Sequence, residues 1–180
     1  VKVIPQPVGG FLDFIARGDA DVEDARVLVI DPGFFSVDWV VIAESDLHRQ
    51  SSGTSLEASS VVLEEASRLI AKDHGSNVST EKLENAIRSG KSDVLVLGQR
   101  VELSPYIEQA SRRVAPVVVE SIQKSLRKES ESVDRVLLVG GGATFFQNAV
   151  AAAFPQLSVA TTKDPVFSNA RGFWFMGASL

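Results

Sequence analysis

The segment Arg135-Val136-Leu137-Leu138-Val139-Gly140-Gly141-Gly142-Ala143-Thr144 constrains the fold more than any other. Its apolar run reads as a buried strand, and the strand enters a helix through three glycines. A turn of this kind lets a planar or phosphorylated ligand approach bare backbone at a helix N-terminus. A second segment, Val27-Leu28-Val29-Ile30-Asp31-Pro32-Gly33-Phe34-Phe35-Ser36-Val37-Asp38-Trp39-Val40-Val41, reads as a strand, a tight turn and a returning strand. The turn places one acid at the end of the first strand, and the return brings a second. Such a pair of acids suits a cation bound largely through water. Together the two segments outline half of a nucleotide-binding cleft.

The remaining composition excludes several function classes. With no cysteine there is neither a disulfide nor a thiolate metal site, and a reducing cytoplasm is compatible. The two histidines, His48 and His74, stand in polar settings without acids at ligand spacing, which argues against zinc. A formal charge of −5 argues against direct nucleic-acid binding. No apolar run approaches the roughly 20 residues a membrane span needs. Residue 1 already lies in an apolar strand pattern, from which an N-terminal domain preceding this chain is expected.

Periodicity predicts a strand over residues 1–4 and a helix over 8–16, followed by an acidic turn at 19–24. Three strands follow at 26–31, 36–43 and 47–51, the last short and polar; their short links favour antiparallel pairing. Thr54 or Ser55 can cap a helix over 56–72, and Ser79 or Thr80 a shorter one ending near residue 88. A small hairpin is expected over 93–103. A long helix is expected over 105–128, with a kink at Pro116. A strand at 134–139, a helix at 143–154, a strand at 157–161 and a helix at 169–180 close the chain. Three antiparallel strands followed by parallel strands joined through helices give an α/β fold. Its five-stranded mixed sheet with flanking helices is the ribonuclease-H-like arrangement, and 75–103 is expected to be an inserted helical subdomain.

With these segments in order, the chain resembles the second, C-terminal domain of the actin-like ATPase superfamily, most closely its plasmid-partition ParM/StbA-type members. The GGGA turn, Gln6 at the opening of the first helix and the stretch Asp164-Pro165-Val166-Phe167-Ser168-Asn169-Ala170-Arg171-Gly172-Phe173 carry the resemblance. It implies a filament-forming ATPase, in plasmid or DNA segregation, with ATP and Mg²⁺ held between this domain and a first domain. Hydrolysis would need that first domain, so the chain alone is expected to be nearly inactive. Self-association and a DNA-bound adaptor protein are the implied partners. A sugar or acid kinase of the same fold, or a non-catalytic scaffold, are the alternatives.

The resemblance also implies roles. Asp31 would hold Mg²⁺ through water, with Gly33, Ser36 and Asp38 completing the acidic motif; for Asp38 a structural hydrogen bond is the competing role. Gln6 would orient the attacking water, or serve only as a turn residue between two prolines. Gly140, Gly141, Gly142 and Ala143 would receive the adenosine and α-phosphate, and Gly53 would lie near the ribose. Lys82 and Glu84 would contact ribose or adenine, or form a solvated helix face. Phe34 and Phe35 replace glycines common in relatives and are expected to pack in the core or between domains. Trp39 and Trp174 are expected in the core.

Overall fold

Strand alternation sets the layers of this computed structural model, which describes residues 3–18, 22 and 24–178. The first helix is α1 (Gln6–Ala16), and β1 (Val27–Pro32) is buried at every position. Val27 and Val29 of β1 cluster with Phe11 and Phe14 of α1. Leu28 and Ile30 point the other way, into the main core. The same alternation continues in β2 (Val37–Ala43): Val40 and Ile42 face α1, while Val37, Trp39 and Val41 face the main core. A strand buried on both faces must be covered twice, and helices supply both covers.

β2 continues into β3 (Asp46–Ser55), and then come α2 (Ser59–His74), α3 (Thr80–Arg88), a hairpin of β4 (Asp93–Val96) and β5 (Gln99–Glu102), and α4 (Ser104–Leu126). The chain ends through β6 (Arg135–Leu138), α5 (Ala143–Ala153), β7 (Ser158–Thr161), a 3-10 turn at Pro165–Phe167 and α6 (Ser168–Ala178). The main sheet has the order β3-β2-β1-β6-β7. β1, β2 and β3 pair antiparallel, whereas β1–β6 and β6–β7 are parallel. This is the mixed five-stranded sheet the element order predicts. α2, α4 and α5 supply residues to the main core, while α1 packs chiefly on α6 across the other face. Segment 75–103 contains α3 and the β4–β5 hairpin, and its Leu83, Val94 and Val101 join the main core.

Several expectations change. β3 has ten residues rather than five, because backbone pairing to β2 carries a polar sequence through a register shift between Trp39 and Val41. α2 begins at Ser59 without a side-chain cap, so neither Thr54 nor Ser55 caps it. Its first amides instead meet the β1–β2 turn: Ser59 N donates to Gly33 O at 3.3 Å and Ser60 N to Phe34 O at 2.9 Å. Ser79 does cap α3, accepting from the Lys82 amide. Trp174 is 66% exposed and Phe35 75% exposed, so neither is a core residue, whereas Trp39 is buried. His48 does meet an acid, Glu129, at 2.9 Å, and Arg26 also contacts that carboxylate. Residues 1–2 of the first expected strand, and most of the acidic turn at 19–24, lie outside the described residues; Val3 and Ile4 are in no strand.

Candidate nucleotide site

β1 and β6 run parallel, so their C-terminal ends open at the same edge of the sheet, where ligand sites of α/β folds gather. The glycine turn crosses that edge and is anchored on both sides. Gly140 N donates to Pro165 O at 2.9 Å, and Gly142 N donates to Pro32 O at 2.8 Å. Gly140 has φ +78°, a left-handed conformation that favours glycine. A Cβ there would lie 2.1 Å from Asp31 Oδ1, so the absence of a side chain makes room for the acid. At Gly142 a Cβ would lie 2.1 Å from Ser59 Oγ and 2.8 Å from Pro32 O. Gly141, between them, is exposed and has only Val166 in range, at 3.7 Å.

The two faces of the sheet divide the site. Asp31 and Asp38 are direct partners in the β1–β2 ladder and project on the α1/α6 side. Asp31 is 3% exposed, and Asn169 Nδ2 donates to its Oδ2 at 2.7 Å. Burial pushes the Asp31 carboxyl up to about 6; the Asn169 hydrogen bond works against that rise and the Asp38 charge adds to it. Asp38 is half-buried and accepts from Ser36 Oγ at 2.8 Å, so a structural hydrogen bond is present at that position. Gly33 N donates to Ser36 O at 2.8 Å and closes the turn.

On the opposite side a cavity of about 280 Å³ lies between the glycine turn and α3. Gly141, Gly142, Phe34, Phe145, Glu84 and Arg88 line it. Ser59, 5% exposed, also lines it, and its buried Oγ has no hydrogen-bond partner. A buried hydroxyl without a partner is costly in a folded protein unless a ligand or water satisfies it. Nothing in the sequence marked Ser59, one serine in the run Ala58-Ser59-Ser60. Only its place under Gly142 makes it informative.

The expected residues therefore separate. Asp31, Gly33, Ser36, Asp38, Gly140, Gly141, Gly142 and Ala143 converge on one edge, and Glu84 lines the cavity beside Gly141 and Gly142 from α3, within 3.5 Å of Arg88. Lys82 points elsewhere: its Nζ donates to Leu95 O at 2.6 Å, and it lines a different hollow with Asp93 and Arg100. Gly53 pairs with Trp39 in the β2–β3 ladder, next to the Asp38–Thr54 pair, and a Cβ there would lie 2.3 Å from the Trp39 ring. Gln6 is exposed at the first position of α1. Phe34 is half-buried, and Phe35 meets it edge-to-face at 4.7 Å.

A sequence model of the family described as archaeal actin homologue MreB-like, C-terminal, matches residues 29–152. The chain belongs to that family. The match runs from β1 into α5 and so includes both the acidic turn and the glycine turn of this MreB-like domain. Among solved structures it is similar to Ta0583, an archaeal actin homologue, at 23% identity and TM-score 0.84, covering 98% of this chain and 56% of that one. Ta0583 in complex with ADP aligns at 22% identity and TM-score 0.85, covering 98% and 57%. A ParM filament from Clostridium botulinum aligns at 18% identity and TM-score 0.75, covering 99% and 53%. At these identities the likeness establishes the fold alone. The chain spans about half the length of those structures. Comparison with curated proteins gives no match.

Proposed function

We propose that this MreB-like domain is the nucleotide-binding half of an actin-like, filament-forming ATPase that acts in plasmid or DNA segregation. The observation that carries the proposal is the cavity against Gly141 and Gly142, where the buried Ser59 hydroxyl lacks a partner. The similar structures with ADP and in a ParM filament support nucleotide binding and self-association.

In this reading the sugar and base enter the cavity between Gly141–Gly142 and Glu84–Arg88, with Ser59 Oγ free to hydrogen-bond to them. The phosphates lie across the ends of β1 and β6, beside the acids. Among the described residues no group of three or more His, Asp or Glu can hold a metal ion. Two carboxylates on one ladder position fit Mg²⁺, which keeps several waters and takes further ligands from phosphate. Asp31 and Asp38 would hold it, and it would supply charge neutralisation at the β- and γ-phosphates. Gln6, a neutral amide, would orient the attacking water rather than remove its proton, which suits slow hydrolysis. A further domain would supply the other phosphate contacts, so this chain alone would bind ATP weakly and hydrolyse almost none. Assembly would follow nucleotide binding in the cytoplasm, and a DNA-bound adaptor would link filament to cargo.

The test is equilibrium binding of fluorescent Mg-ATP to the wild type and to Gly141→Leu. A side chain at Gly141 projects into the cavity with little else to displace. Affinity should fall at least about tenfold with folding stability retained. Equal affinity would remove the glycine turn from the site.

A further inference from the structure

Asn169 belongs to the stretch from Asp164 to Phe173, and its surroundings in the fold assign it a task. It is the second residue of α6 and is 8% exposed. Its Oδ1 accepts from Gly10 N of α1 at 2.9 Å, and its Nδ2 donates to Asp31 Oδ2 at 2.7 Å. A backbone amide can only donate and an ionised carboxylate can only accept, so the two partners together fix the amide's orientation. Aspartate at 169 would lack the donor, and leucine would lack both groups.

The frame that carries Asn169 is rigid. A Cβ at Gly172 would lie 1.7 Å from Gly9 O, and one at Gly9 would lie 2.6 Å from Asn169 O, so α1 and α6 touch backbone to backbone here. Farther along the same seam, Arg171 grips the fully buried Asp13 through Nε at 2.9 Å and Nη2 at 2.7 Å. Neither helix can slide past the other without breaking these contacts. Gln6 lies one helical turn before Gly10 on α1.

We propose that Asn169 is a positioning residue: it holds the Asp31 carboxylate in one orientation and, through the Gly10 amide, keeps that carboxylate in register with the Gln6 end of α1. This inference rests on the nucleotide-site reading above. Without the amide, one Asp31 oxygen loses the side-chain donor that orients it, and the buried carboxylate can turn towards Gly140. Asn169 then matters for the chemical step more than for affinity, because the cavity that takes sugar and base lies on the other face of the sheet.

The test is a double-mutant cycle on the full-length protein, using Asn169→Ala, Asp31→Ala and both together. Phosphate release at saturating Mg-ATP, Mg-ATP affinity and thermal midpoint are measured for each. Asn169→Ala should lower kcat about 10- to 100-fold, the range typical of residues that orient a ligating group, with affinity within about threefold. The double variant should be no slower than Asp31→Ala alone, because Asn169 acts through Asp31. Losses that multiply in the double variant, or an unchanged kcat beside a lower midpoint, would overturn the inference and leave the nucleotide site standing. Absence of Mg-ATP binding by the wild type would sink both. Should Asn169→Ala fail to fold, the same cycle with Asn169→Ser and Asp31→Asn reads the same non-additivity.

Discussion

Alanine at each of the three successive glycines in turn should give three different stabilities. At Gly140 a side chain must adopt φ +78°, which costs about 1–2 kcal/mol for a residue with a Cβ. That Cβ would also stand 2.1 Å from Asp31 Oδ1, with Pro32 O at 3.0 Å. The carboxylate has to rotate away from Asn169, and losing a charge-assisted hydrogen bond adds about 1.5–3 kcal/mol. Gly140→Ala should therefore destabilise by about 2.5–5 kcal/mol. Gly142→Ala meets Ser59 Oγ at 2.1 Å and Pro32 O at 2.8 Å, at an ordinary φ of −92°. The serine can turn but the carbonyl cannot, and about 1–3 kcal/mol is expected from overpacking. At Gly141 the nearest atom is Val166 Cγ2 at 3.7 Å and φ is not positive, so Gly141→Ala should stay within about 0.5 kcal/mol of wild type. Urea unfolding of the nucleotide-free protein, followed by far-ultraviolet circular dichroism, reads all three. Equal losses at Gly140 and Gly141 would refute the placement of Asp31 under the turn.

Three further outcomes follow from the same geometry. Asp31, raised to about 6 by burial, contributes stability below its unfolded value of 3.8 that is lost as pH rises through 6. Nucleotide-free Asp31→Asn should thus be more stable than wild type at pH 7.5, by about 2–3 kcal/mol, with the gap closing towards pH 4; a constant gap in urea midpoints across that range would contradict it. Burial alone would raise the Asp13 carboxyl, but the Arg171 and Arg17 hydrogen bonds hold it below its usual value, so its contribution is present above pH 3.8 and lost on further acidification. Asp13→Ala should cost about 3 kcal/mol at pH 7 by stranding Arg171, and should flatten the acid limb of the stability curve. Gly53→Ala should cost about 1–3 kcal/mol by pressing on Trp39, whose indole is held by Ser51 O at 3.0 Å and Ser125 Oγ at 2.8 Å. That cost should shrink in a Trp39→Leu background, and Mg-ATP affinity should not change; a selective loss of affinity would instead return Gly53 to the ribose.

Legibility followed burial. β1, β2 and β6 stood out because strands covered on both faces are nearly continuous apolar runs, and the glycine turn stood out as three successive glycines between an apolar strand and a helix, although only the fold shows that Asp31 and Ser59 crowd Gly140 and Gly142. β3 was half hidden: residues such as Arg49, Gln50 and Thr54 are exposed, and backbone pairing to β2 leaves no compositional trace. The start of α2 carried a misleading signal, since its caps are carbonyls from Gly33 and Phe34 rather than a nearby Ser or Thr side chain. Ser59 and Asn169 acquire meaning only when the fold brings Gly142 and Asp31 to them. The His48–Glu129 contact joins residues 81 positions apart, beyond the reach of local pattern. Trp174 shows the converse, an aromatic residue whose size suggests the core but whose place on α6 is open to solvent.

The proposal of a nucleotide-driven filament is tested most directly by light scattering and phosphate release of the full-length protein with Mg-ATP, wild type against Asp31→Ala. Assembly that requires ATP in the wild type, and is lost or trapped without phosphate release in the variant, is the predicted result. Equal scattering with and without ATP, and no difference between the two proteins, would contradict it.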